Sequence, residues 1–326
     1  LSSLINPTGT IPDKSEGFSE VQPKLSLSWD ASENTTVFGS WGVGFKAGGF
    51  NSSGSQATVD IFINGFINGG IGINFADDMG VPLPVISDVY QEETSSAFEV
   101  GFKSRLMNGR LQLDGAAYHT VVDDMQFFEF FVGTFGLLRV VSNTDEVEIS
   151  GVEFGVNFHA TDNFRVYAGA NFLDTEIKAN SSRPDTVGNE APYTPKYTVN
   201  IGGDVDFAIN NDLNFVARID AQFIGDTWFH TVQTGQRPTI FMPLFELGFG
   251  AGALGTADYT NAQRDAYFTV DMRVGIESER WSVTAFASNL TDEQYLEEVI
   301  PAPEFGGTFD HPNARRRMGV EVGFRF

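Results

Sequence analysis

Four histidines, two Asp-Asp pairs and glycine-rich pieces are the residues whose types would suit catalytic or metal chemistry. His119, His159, His230 and His311 lie far apart, with no spacing that brings two imidazoles to one metal. Asp77-Asp78 and Asp123-Asp124 lack the regular oxygen spacing of a calcium loop. The run from Gly65 to Gly72 does not lie between a strand and a helix, so it predicts no phosphate cradle. No Gly-x-Ser-x-Gly elbow is present. Cysteine is absent, which excludes a thiolate metal site, a Cys nucleophile and a disulfide framework. Asn34-Thr-Thr36 and Asn289-Leu-Thr291 fit a glycosylation pattern and are read as chance matches. The sequence predicts no enzyme, no cofactor and no metal site.

The remaining charges are organised by position. Glu99, Lys103 and Arg105 alternate with Phe98, Val100 and Phe102. Asp204 lies opposite Val199, Ile201, Val205 and Phe207 in another alternating run. Arg218 and Asp220 alternate with Phe215, Ala217, Ile219 and Ala221. Asp271, Arg273 and Glu277 alternate with Phe268, Val270, Met272, Val274 and Ile276. In the last nine residues Glu321 and Arg325 oppose Met318, Val320, Val322, Phe324 and Phe326. Period-two alternation puts the two sets on opposite faces of a strand. One face is apolar throughout, and the other carries charges and glycines.

About eleven such strands are expected, most of them long enough to cross a bilayer at a tilt. Tight turns join them at Asp30–Asn34, Met107–Gly109, Thr161–Asn163, Asn210–Asp212 and Glu279-Arg280, and long connections lie between the hairpins. The strand pairs are expected at Pro23–Trp29 with Thr35–Lys46, Thr94–Leu106 with Arg110 onward, and Val140–Ala160 with Phe164–Lys178. Further pairs are Lys196–Ile209 with Leu213–Phe229 and Ala266–Ser278 with Trp281–Asn289, and a closing strand starts near Arg315. Short turns at one end and long loops at the other describe an antiparallel transmembrane β-barrel. A β-sandwich shows the same two faces, but with shorter strands and less regular loops.

Composition agrees. Apolar residues make up 41% of the 326, no run is long enough for a transmembrane helix, and Phe (31) and Gly (35) are plentiful. Barrel strands conceal their hydrophobicity in alternation and use Phe in interfacial girdles. The net charge of −23 argues against a nucleic-acid partner, which needs a basic surface.

Several local motifs resemble those of TonB-dependent outer-membrane receptors. Phe38-Gly-Ser-Trp-Gly-Val-Gly-Phe-Lys-Ala-Gly-Gly-Phe-Asn51 is similar to their strand-to-loop passage. Glu93-Thr94, Glu99-Val-Gly-Phe-Lys103 and Asn108-Gly-Arg-Leu111 resemble the next hairpin, and Gly151-Val-Glu153 the start of a later strand. Asn289-Leu-Thr-Asp-Glu-Gln-Tyr295 and the Phe-terminated final strand complete the set. Ala314-Arg-Arg-Arg317 departs from it, standing where a Pro-Arg pair is common.

The resemblance implies the C-terminal half of a 22-stranded plugged barrel. Residues 1–326 would then be barrel domain, with the plug and the first half of the barrel outside this chain. It implies uptake of a scarce nutrient such as a siderophore, cobalamin or a carbohydrate, driven by the TonB complex acting through the plug. A passive porin-like barrel shares every strand feature, and a secreted all-β adhesive protein is a third reading. Expected partners are outer-membrane lipid and lipopolysaccharide, a small-molecule ligand and the barrel-insertion machinery.

On this reading Glu99, Lys103, Arg105, Asp204, Arg218, Asp220, Asp271, Arg273, Glu277 and Glu321 face the lumen and the plug. Val322, Phe324 and Phe326 form the assembly signal. Phe62, Phe66, Phe75, Asp77, Asp78, Phe241, Phe245 and Phe249 are loop candidates for ligand contact, in an acidic mouth suited to a neutral or cationic ligand. Arg316, sharing parity with Met318, is a lipopolysaccharide candidate.

Overall fold

The computed structural model describes residues 13–51, 55–59, 86–133, 136–233, 235–238, 249–250, 252, 256–302 and 307–325. Its centre is one eleven-stranded sheet in which each strand pairs, antiparallel, with its neighbours in the chain. In order the strands are β1 (Lys24–Ser32), β2 (Thr35–Lys46), β3 (Glu93–Leu106), β4 (Leu111–Gly133), β5 (Gly136–His159) and β6 (Phe164–Ala179). They continue with β7 (Tyr197–Ala208), β8 (Asn214–Ile224), β9 (Tyr267–Glu277), β10 (Trp281–Ser288) and β11 (Arg317–Phe324). β1 and β11 are the sheet edges.

Tight turns lie at one end of the sheet. The turn from β3 to β4 is a 3-10 turn, Met107–Gly109, with Met107, Asn108 and Gly109 all at positive φ. Asn and Gly tolerate that left-handed geometry, and so fix the hairpin there. At the other end the connections between hairpins are long, apart from that between β4 and β5. Those two strands run 23 and 24 residues and carry the pairing outward as far as Gly133 opposite Gly136. β5 therefore starts at Gly136 rather than near Val140. β8 stops at Ile224, short of the expected Phe229, because its partners β7 and β9 begin only at Tyr197 and Tyr267; Thr227-Trp228 then pairs with Gln263-Arg264 instead.

Register sorts the side chains. Directly opposed residues share a face. Trp41, Phe98 and His119 form one cross-strand row, with Gly39, Val100 and Ala117 in the next. Phe223 and Phe268, Ile219 and Met272, and Val283 and Val322 continue this outward face across β8 to β11. Its large apolar side chains are exposed, among them Phe154 at 52%, Val322 at 58% and Phe324 at 68%. An apolar patch of this extent on a soluble protein marks an interaction surface.

Aromatic pairs bound the patch at two levels. Trp41 and Phe98 (6.3 Å between ring centroids), Phe172 and Tyr197 (6.3 Å), and Phe223 and Phe268 (5.8 Å) mark the end near the long connections. Phe207 and Phe215 (5.1 Å) mark the end near the turns, where Trp281 also stands opposite Phe324. Along β8, Phe215 and Phe223 bracket eight residue steps, about 26 Å of strand and roughly 20 Å of depth at a tilt near 40°. These are the dimensions and girdles of a lipid-facing band.

Among the described residues, few apolar side chains are buried along the part of the sheet that carries the lipid-facing band. The most buried apolar side chains lie in the layer beyond the long-connection end. Val122, Val147, Ile177 and Ala191 cluster there, with Met125 and Ile149 against them. Phe229, Val232, Ala262 and Val299 are also buried. Among the described residues no helix is long and apolar enough to cross a membrane.

Candidate functional site: the polar inner face and the outer loop layer

The face opposite the apolar band is polar. The register places every lumen candidate on it. Glu99 lies opposite Tyr118, Lys103 opposite Asp114, and Arg105 opposite Gln112. Arg218 lies between Asp204 and Arg273, Asp220 opposite Asp271, Glu277 opposite Asn214, and Glu321 opposite Thr284.

Like charges meet across the strands at Arg218/Arg273 and at Asp220/Asp271, which is unfavourable unless each finds another partner. Each arginine does. Arg218 forks onto Asp220, Nε to Oδ2 at 2.7 Å and Nη2 to Oδ1 at 2.9 Å. Arg273 reaches Glu321 at 3.2 Å and lies 5.8 Å from the Phe286 ring centre. Asp271 accepts the backbone N–H of Asn289 at 2.8 Å.

Sequence reasoning omitted two central members of this face. Arg165 donates through Nε and Nη2 to Asp204, at 2.9 and 2.6 Å. The Tyr167 hydroxyl donates to Asp220, and its ring lies between the guanidinium groups of Arg165 (5.1 Å) and Arg218 (5.4 Å). Both residues sit on the polar parity of β6, opposite Asp204 and Gly202 of β7. The alternation that exposed the other candidates was there to find them. Gly202 is required here, since a Cβ would sit 2.4 Å from the Tyr167 ring. Nearer the turns, Glu99, Lys103, Arg105, Gln112, Asp114 and Glu153 line an open depression of about 440 Å³.

The outer layer is held by side-chain amides and acids that reach between connections. Asn51, from the Phe38–Asn51 passage, brackets the backbone of β5, donating to Val141 O at 2.8 Å and accepting from Val141 N at 2.7 Å. Arg183 forks onto Glu129 of β4, Nε to Oε1 at 2.7 Å and Nη2 to Oε2 at 2.8 Å. Tyr193 has Phe128 and Phe229 around it, with ring centroids at 5.6 and 5.2 Å, and burial pushes its hydroxyl up to about 12. Arg264 lies over the rings of Phe229 and Tyr267, and Tyr267 stacks on Tyr295 at 3.7 Å.

The Asn289–Tyr295 motif forms a clasp between β10 and β11. Asn289 and Asp292 both adopt positive φ, 50° and 57°. Asn289 donates to the carbonyl of Glu293 at 2.9 Å and accepts its N–H at 2.8 Å. Arg315 forks onto Asp292 at 3.0 and 2.6 Å, and the Arg316 N–H adds a third bond at 3.0 Å. These donors, Arg315 foremost, hold the Asp292 carboxyl well below the usual carboxylate range. The Arg316 guanidinium donates to Leu290 O at 3.3 Å.

Of the three residues expected to form an assembly signal, Val322 and Phe324 point outward, and Phe326 lies outside the described residues. Phe249 is exposed at 80%. Phe62, Phe66, Phe75, Asp77, Asp78, Phe241 and Phe245 lie outside the described residues. No group of three or more His, Asp or Glu suited to a metal occurs among the described residues.

A wall with an apolar outward band between aromatic girdles, a charged inner face, and turns and loops segregated to opposite ends defines an outer-membrane β-barrel protein. The sequence matches the family described as TonB dependent receptor-like, beta-barrel, over residues 4–290. The chain belongs to that family and is a protein of the bacterial outer membrane. Its fold is similar to that of the ferric yersiniabactin uptake receptor FyuA from Yersinia pestis (TM-score 0.63, 17% identity, 92% of this chain and 36% of that one). It is similar also to the siderophore receptor PiuA from Acinetobacter baumannii (TM-score 0.56, 15% identity, 92% and 35%). The copper transporter OprC is a third (TM-score 0.58, 14% identity, 93% and 39%). The chain thus spans well under half the length of these proteins.

Proposed function

We propose that the chain forms the C-terminal half of the barrel of a receptor that takes up a scarce small molecule across the outer membrane, driven by TonB through a plug. The observation that carries this reading is the inner face. It presents Arg, Lys, Asp and Glu side chains of both signs on one wall, spread over β3 to β11. A mixed, laterally paired surface suits contact with a polar plug and bound water better than an ion-selective pore, which uses rings of one sign. Half of a 22-stranded barrel is eleven strands, the number in this sheet.

The ligand is proposed to be neutral or cationic. Acidic residues crowd the described part of the last outer connection, including Glu293, Glu297, Glu298 and Asp310, and disfavour an anion within a Debye length of about 8–10 Å. Tight binding of a polyanionic ligand at physiological salt would reverse that assignment. Arg316, exposed at the rim, is proposed to contact lipopolysaccharide phosphate. Added lipopolysaccharide should then raise the Tm of the wild type more than that of Arg316→Gln.

The test of the main reading is the intact mass of the native protein extracted from outer membranes, with mapping of its N-terminal peptides. A polypeptide about twice this length, carrying a plug ahead of Leu1, agrees with it. A native chain beginning near Leu1 overturns plug-dependent transport.

A further inference from the structure

We propose that Glu129, Arg183 and His230 form an acid-released latch that holds three outer elements in one closed arrangement. The inference stands on the outer layer alone and does not depend on which molecule the receptor takes up.

Each residue comes from a different part of the layer. Glu129 is on the outward extension of β4, Arg183 is in the connection from β6 to β7, and His230 is in the connection from β8 to β9. Glu129 is 8% exposed and His230 4%, and the Arg183 side chain is 13% exposed. The guanidinium engages both carboxylate oxygens, the geometry that best offsets the desolvation of a buried pair. Removing either partner leaves a buried charge, so the pair holds only while the layer stays shut.

The two connections are stitched together beside the ion pair. The Gln233 side chain accepts the Glu190 N–H at 3.0 Å and donates to the Glu190 carbonyl at 2.6 Å. Asn189 donates to the Thr231 carbonyl at 2.8 Å. Opening one connection therefore disturbs the other.

His230 is the group that acid reaches. Its Nδ1 accepts the Val232 N–H at 3.0 Å, which requires the neutral ring with its proton on Nε2. A second proton would have to occupy Nδ1, where it meets the Val232 N–H head on. The ionisable groups facing the ring are Glu129 from β4, Arg183 and Asp185 from the neighbouring connection, and Tyr259, whose ring centre is 5.8 Å away. Glu129 and Asp185 favour the imidazolium and Arg183 opposes it, but burial dominates and holds the imidazole down at about 4.

The direction of the pH effect follows. The closed layer has the lower pKa, so its full stability is present above the ordinary value of 6.5 and is lost as the pH falls toward 4. At pH 5 an exposed imidazole is mostly protonated and the closed one mostly neutral, which shifts the closed-to-open ratio by about 30-fold. The outer layer should therefore loosen in mildly acidic surroundings while the transmembrane wall stays intact.

Hydrogen exchange on the intact protein in lipid nanodiscs, from pH 8 to pH 4.5 and corrected for intrinsic rates, tests this. The reporters are the amides of residues 231–233 and 186–189, with β9 as the internal reference. Protection of the reporters should be flat above pH 7 and fall by about 30-fold by pH 5, with β9 unchanged. In His230→Gln, whose side-chain oxygen can accept the Val232 N–H without titrating, the fall should vanish. If that variant does not assemble, His230→Asn takes its place. Flat protection in the wild type overturns the latch, as does an equal fall in wild type and variant.

Discussion

The lipid-facing assignment of the outward face is tested most sharply at Ile219. It sits midway along β8 between Phe215 and Phe223, opposite Met272 on β9 and Gly203 on β7. Four residue steps separate it from each girdle, about 13 Å along the strand and roughly 10 Å in depth. An arginine there would stand near the bilayer midplane, at a cost of about 2–4 kcal/mol. Loss of the isoleucine's own apolar contact adds about 1–2 kcal/mol, for a total near 3–6 kcal/mol.

Two controls separate depth from mere substitution. Phe223→Arg, at the girdle, should cost only about 0–1 kcal/mol for the charge, plus the lost aromatic contact with Phe268. Gln222→Arg, on the polar face opposite Asn200 and Thr269, should stay within about 1 kcal/mol of wild type. The assay is reversible urea unfolding of the full protein in liposomes, read as the shift in midpoint at constant slope. Equal losses for Ile219→Arg and Gln222→Arg would refute the assignment of faces.

Other consequences can be checked alongside. Replacing both Arg218 and Arg273 by Gln should reduce exchange protection of plug amides by up to about 30-fold, since exposed pairs contribute at most about 1 kcal/mol each; unchanged protection would remove the proposed plug contact. Deleting Phe326 should lower the amount of receptor in the outer membrane, measured by quantitative blotting, and undiminished levels would refute its role as an assembly signal. Asp292→Asn should open the clasp and raise proteolytic nicking between residues 289 and 316 at every pH. In the wild type, Asp292 is depressed below 3.8, so the clasp holds above that value and fails only as the pH drops through the lower folded value. Increased nicking already at pH 5 would contradict this.

The wall was legible in the sequence because a strand with one face in lipid and one in a polar lumen repeats its pattern every second residue. The expected Ala266–Ser278 and Trp281–Asn289 differ from β9 and β10 by one residue at the ends. Asn108-Gly109 marked its turn for a stereochemical reason, the positive φ at both positions. The outer layer was not legible. Alternation breaks at Asp124, whose φ is 55°, so that Val122 and Met125 pack on the same buried cluster although simple parity separates them. Glu129 finds Arg183 at a separation of 54 residues, and no local pattern forecasts an ion pair at that distance. Arg316 illustrates a partial reading: parity assigned it to the outer rim, whereas its guanidinium also caps the carbonyl of Leu290.

The order of strands in the sheet is the order of strands in the chain. Every long ladder therefore joins segments that are consecutive in synthesis, and closing each hairpin across its tight turn involves little loop entropy. Such a wall can grow like a zipper, one hairpin templating the next, with the long connections left outside the growing seam. It would come apart the same way under load. Pulling on one terminus should remove hairpins singly, in a sawtooth of repeated force peaks, instead of one cooperative rupture.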